Sequence, residues 1–112
     1  MSEETKQIIL TMLKQGLEII TDYMDAEAKA SKELELMQYI DASIEYITKE
    51  GITLEDDSPG DRMLVNMYAM WLYDKRKTTG SKYTSYYIQN MQRMLRYNLN
   101  NRLLEQKAQE TA

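Results

Sequence analysis

Three stretches of this 112-residue chain bring together side chains that could do chemistry. Glu55, Asp56 and Asp57 are consecutive carboxylates, the oxygen-rich donor type that hard cations prefer. Their spacing is not that of a calcium loop. Three acids ahead of a helix start are also explained by solvation and by the favourable helix dipole. Thr79, Gly80, Ser81 and Lys82 faintly resemble a phosphate-binding loop, but the GxxxxGK spacing and a preceding strand are both missing. Tyr83, Tyr86, Tyr87 and Tyr97 lie among basic residues, a mixture that can stack on single-stranded nucleic acid. Tyrosine at helical spacing equally serves half-buried packing or a protein interface.

The residue types that are absent narrow the chemistry more than those present. The sequence holds neither histidine nor cysteine. Ser-His-Asp and Cys-His nucleophiles, the usual zinc ligand sets and the commonest general base therefore go. Carboxylates, Lys, Tyr, Ser and Thr remain, and no spacing singles out two acids that must converge. The expectation is a non-enzyme with no catalytic residue, no bound metal and no cofactor. Without cysteine there is no disulfide framework, which fits a reducing compartment.

The elements that position these side chains read as helices. One proline and four glycines in 112 residues favour long helices over a turn-rich sandwich or barrel. Ile9, Leu13, Leu17, Ile20 and Met24 form one helical stripe, with Met12 and Gly16 beside it. Gly16 in the middle of that stripe suggests a bend or a close helix contact. The weakly patterned stretch Asp25 to Ser31 reads as a loop. Leu34, Met37, Ile40, Ile44 and Ile47 make a second stripe, with Glu33, Glu35, Asp41 and Glu45 mostly off it. Gly51 follows as a left-handed cap.

The clearest local signal comes next. Ser58 suits an N-cap, Pro59 the first helical position, and Asp61 the third, close to a capping box. From Met63 to Tyr73 only Asn66 is polar, so this third helix should be the central one, with Trp71 in the core. A last helix spans about Thr84 to Gln106 on the stripe Ile88, Met91, Leu95, Leu99 and Leu103. The core is expected to include Leu64, Tyr68, Trp71, Leu72, Met91, Leu95 and Leu99. The fold class is all-α, a small bundle of about four helices: a single domain over 1–107 with a frayed tail over 108–112. No apolar run approaches the roughly 20 residues of a membrane span, and the polar, acidic start is no secretory signal.

Charge is divided along the chain. Residues 1–57 carry 14 acids and 5 bases, whereas residues 58–112 carry 4 acids and 9 bases. Between Lys75 and Leu104 no acid occurs, against Lys75, Arg76, Lys77, Lys82, Arg93, Arg96 and Arg102. A chain acidic at one end and basic at the other can complement its own copies head to tail, in rings or filaments. Solvated helix faces account for any one of these charges equally well.

Three segments, YIDASIEYITKEG, DRMLVNMYAMWLYDKRKTT and MQRMLRYNLNNRL, carry a resemblance. In order and residue type they resemble the head–tail connector (head-completion, DNA-packaging) proteins of long-tailed bacteriophages, over about residues 31–107. The resemblance implies a structural subunit that forms a homo-oligomeric ring under the portal protein, matching its symmetry and dodecameric in the virion. Such a ring extends the DNA channel and offers a docking surface to tail-side stopper or adaptor proteins. It meets genomic DNA only as the DNA passes, and no membrane. It implies assembly at the virion head–tail junction after synthesis in the host bacterial cytoplasm. Carried onto this chain, the portal or neighbour interface falls on Arg93, Arg96, Asn98, Asn100, Asn101 and Arg102. From the charge division itself, the neighbour-facing acidic side is expected on the second helix, at Glu33, Glu35, Asp41 and Glu45, meeting the basic third-to-fourth helix region of the next subunit. The alternative is a small helical DNA-binding or regulatory protein using the basic stretch over 75–102. Against it stands a sequence pI near 4.9.

Overall fold

The computed structural model describes residues 1–77 and 86–111. Four helices follow one another: α1 (Glu3–Gly16), α2 (Ala26–Lys49), α3 (Pro59–Lys77) and α4 (Tyr86–Thr111). The all-α bundle expected from the sequence is what forms. The stretch Thr79 to Lys82 and Tyr83 lie outside the described residues.

Each of the first three helices starts at a side-chain cap. The Thr5 amide donates to Ser2 Oγ at 3.2 Å, the Ala28 amide to Asp25 Oδ1 at 2.7 Å, and the Asp61 amide to Ser58 Oγ at 3.2 Å. Asp25 corrects one expectation: the stretch Asp25 to Ser31 is not a loop but the N-cap and opening turns of α2. It lacks large apolar residues, yet three alanines and a capping aspartate suffice to extend a helix that is anchored further along.

The first helix stops earlier than its stripe. The Ile19 amide donates to the Lys14 carbonyl at 2.9 Å and the Glu18 amide to the Gln15 carbonyl at 3.2 Å. That paired pattern is a Schellman end. Glu18 takes the left-handed position with φ of 57°. Ile20 and Met24 therefore leave the helical face and stand exposed. Gly16 sits at a close contact, as the sequence suggested: a Cβ there would lie 2.9 Å from Met70 Sδ of α3. At the end of α2, Gly51 takes φ of 96°, the left-handed turn expected of it.

α3 is the central element. It packs against α1, α2 and α4, whereas α4 packs broadly on α3 alone. The core joins Ile9 and Leu13 of α1, Leu36, Ile40 and Ile47 of α2, Leu64, Val65, Tyr68 and Ala69 of α3, and Leu95 and Leu99 of α4. The buried face of α2 is rotated from the expected one. Leu36, Ile40, Ser43 and Ile47 point inward and Leu34 is exposed. Ser43 can occupy that face because its hydroxyl donates to the Tyr39 carbonyl at 2.7 Å.

Of the expected core, Leu64, Tyr68, Leu95 and Leu99 are buried, while Trp71, Leu72 and Met91 are half-buried. Trp71 lies at the edge of the core, stacked edge-on to Tyr68 at 5.8 Å with Lys75 Nζ 4.8 Å from its ring centre. α4 runs on through residues 108–111, which were expected to fray. The radius of gyration, 15.1 Å, exceeds the ~13 Å of a compact chain this long. The extents of 52 × 38 × 19 Å describe a flat, elongated body.

Candidate interaction surface on α4

The polar residues of α4 divide into two sets. One set ties the helix to its own chain. Arg102 Nε donates to Asp61 Oδ1 at 2.7 Å, and its Nη2 donates to the Thr53 carbonyl at 2.8 Å. Gln106 accepts from the Thr53 amide at 2.7 Å and donates to the Gly51 carbonyl at 2.8 Å. Arg96 forks onto the Glu50 carboxylate. The connector between α2 and α3 has backbone groups that no helix satisfies, and these side chains supply the missing partners. Asp61 completes the arrangement by accepting from the Glu55 amide at 2.9 Å. Its carboxylate thus serves the connector and Arg102 instead of closing a reciprocal capping box. The pairing holds the Arg96 and Arg102 guanidinium pKa values above their ordinary one, through Glu50 and Asp61 respectively.

These contacts revise part of the expected neighbour-facing set. Arg96 and Arg102 serve α4's own attachment, and Arg102 is largely covered. Asn98 donates to the Met94 carbonyl one turn back at 2.7 Å. Arg93 and Asn100 are exposed without a partner among the described residues, and Asn101 is exposed. The acidic set is likewise engaged at home. Lys14 reaches Glu33 at 3.1 Å, Lys32 reaches Glu35 at 3.3 Å, Lys6 reaches Asp41 at 3.0 Å and Lys49 reaches Glu45 at 2.9 Å. Exposed pairs of this kind are weak and open to exchange. Of the acids, α2 carries Glu27, Glu33, Glu35, Asp41 and Glu45, whereas α4 carries Glu105 and Glu110.

The tyrosines divide in the same way. Tyr39, Tyr46, Tyr68 and Tyr73 pack between α2 and α3, with Tyr39 edge-on to Tyr73 at 5.6 Å and Tyr46 stacked on Tyr68 at 5.9 Å. Arg76 donates to the Tyr39 hydroxyl at 2.8 Å, and Lys32 to that of Tyr73 at 3.0 Å. Tyr86, Tyr87 and Tyr97 instead stand on the outer face of α4 beside exposed Met94 and Leu104. A groove of about 340 Å³ between α3 and α4 borders this face, lined by Met63, Leu64, Met67, Asn98, Asn101 and Arg102. The tyrosines of this face were legible in the sequence as packing or interface residues, whereas Met94 and Leu104 were not, because the inward stripe Ile88, Leu95 and Leu99 already accounts for an amphipathic helix.

Glu55, Asp56 and Asp57 do not converge: Asp56 Oδ1 accepts from the Ser2 amide at 2.9 Å, and the Asp56 carbonyl accepts from Arg62. Among the described residues no group of three or more acids is placed to hold a metal ion. No helix there is long and apolar enough to cross a membrane. Searches against family models, curated proteins and solved structures find no match to this chain.

Proposed function

We propose that this chain is a structural subunit of a phage head–tail connector, a ring that docks on the portal, extends the DNA channel and presents a surface for the tail. The observation that supports the reading most directly is the placement of α3. It stands between an acid-rich α1–α2 pair and an acid-poor α4, so one copy can offer α2 to the α4 of the next. The resemblance over residues 31–107 supplies the identity of the ring and of its portal partner, and the virion head–tail junction as its place. The outward tyrosines and Met94 of α4 are of the types enriched at protein interfaces.

Arg93 is the basic residue of the expected interface that is exposed and has no partner among the described residues. The DNA-binding alternative loses support on the same grounds. Arg96 and Arg102 are paired with the Glu50 and Asp61 carboxylates, which leaves fewer unpaired cations for phosphate than the sequence count suggests.

The test is the solution mass of the chain at low and moderate salt, alone and mixed with a phage portal ring. A stoichiometric ring on the portal is expected, and Arg93→Glu should remove it while leaving the helical content intact. A chain that ignores the portal in both forms would discard the reading.

A further inference from the structure

The exposed face of α4 has a regular period. Tyr87, Asn90, Met94, Tyr97, Asn101 and Leu104 follow one another at steps of three and four. These are the seam positions of a coiled coil. They lie opposite the stripe Ile88, Leu95 and Leu99 that α4 buries in its own core. Along the seam, Tyr87 is 59% exposed, Met94 60%, Tyr97 68% and Leu104 64%. A solvated helix has no need of two apolar stripes, and a contiguous exposed one marks an interaction surface.

We infer that this face pairs with the α4 of a second copy as an antiparallel, two-fold helix pair. The choice of partner rests on the seam's own symmetry. Place the two-fold axis at the level between Leu95 and Arg96. Met94 then meets Tyr97 of the other copy, Asn90 meets Asn101, and Tyr87 meets Leu104. Every layer is filled and every contact is reciprocal, as an isologous interface requires.

The two polar positions of the seam meet each other. An asparagine buried opposite an apolar residue would leave its amide unsatisfied, whereas two facing asparagines can exchange hydrogen bonds and fix the register. Each tyrosine meets a slimmer Met or Leu, so large and small alternate across the layers. A parallel pair would set Tyr87 and Tyr97 each against itself. The flanking positions add no repulsion: Arg93 faces Asn100, and Lys107 faces Tyr86. The helix dipoles also oppose each other favourably in this orientation.

From Tyr87 to Leu104 the contact would run about 26 Å along the helix. Met63 and Met67 of α3, which share the groove with Asn98 and Asn101, extend the apolar surface on one side. This contact does not depend on the connector reading. An isologous pair closes on itself and does not propagate, so it is a state of the free chain, tested without any portal.

The experiment uses the full chain by itself, whose lack of cysteine gives a clean background. Sedimentation equilibrium should show a monomer passing to a dimer, and no further, as concentration rises. Met94→Glu with Tyr97→Glu should weaken that dimer at least tenfold with an unchanged thermal midpoint of the monomer, because both side chains are exposed. Under oxidation, Asn90→Cys mixed with Asn101→Cys should form the mixed disulfide dimer in preference to either self-linked one. A chain that stays monomeric at every concentration would overturn the inference. So would Asn101→Cys linking efficiently to itself while the mixture does not.

Discussion

Arg102 and Asp61 form the least exposed ion pair described in the molecule, with side chains 17% and 2% exposed. They lie 41 residues apart and join the last helix to the start of the central one. The carboxylate accepts two hydrogen bonds from the guanidinium and one from the Glu55 amide. Removing one partner strands the other. Arg102→Met should cost about 3–5 kcal/mol of unfolding free energy, by leaving a buried carboxylate uncompensated. Arg102→Met with Asp61→Asn should recover part of that loss. Denaturant titration of the single and double variants checks both, and a cost below about 1 kcal/mol for Arg102→Met would refute this account.

Glu18 sits at the left-handed residue of the α1 cap. A side chain there costs about 1–2 kcal/mol relative to the right-handed region. Glu18→Gly relieves that strain but adds freedom to the unfolded chain. A net stabilisation of up to about 1 kcal/mol is expected, seen as a raised thermal midpoint.

Gly16 tests the α1–α3 contact. The atom a new Cβ would meet is the thioether end of Met70, which can swing aside. Gly16→Ala should therefore change stability by less than about 1 kcal/mol, with better helix propensity set against the displaced methionine. Gly16→Val demands more room than that end can yield and should destabilise by about 1–3 kcal/mol. Equal effects of the two substitutions on thermal unfolding would argue that α1 does not approach α3 closely there.

Asp56 gives the fold a sensitivity to acid. Its pKa is lowered first by the hydrogen bond from the Ser2 amide, and further by Thr5 and the chain's amino terminus. A carboxylate with a depressed folded pKa binds fewer protons folded than unfolded. Its contribution is therefore complete above the unfolded value of about 3.9 and disappears as pH falls through the lower folded value. Asp56→Asn should lower stability modestly at neutral pH, where the carboxylate's contribution is complete, and flatten the loss of stability below about pH 4. Thermal midpoints of both proteins measured from about pH 2 to about pH 7 provide the check.

The sequence by itself was enough for the fold class and for the parts whose cause is local. Ser58, Pro59 and Asp61 start α3 because caps, proline geometry and the helix dipole act within one turn. Gly51 ends α2 because a positive φ suits glycine. The long apolar run from Met63 to Tyr73 made α3 central because it has no polar face to turn to water. Tertiary structure decided what depends on partners far along the chain. α1 stops at Gly16 although its apolar spacing continues, since a Schellman end with Glu18 left-handed turns the chain away. α2 buries Leu36 and Ser43 instead of Leu34, since the direction of α3 selects among neighbouring stripes. Arg96 and Arg102 turn to Glu50 and Asp61 because the connector's unpaired amides, carbonyls and carboxylates lie within their reach. No spacing along the sequence encodes that reach, and only the packing of α4 on α3 creates it.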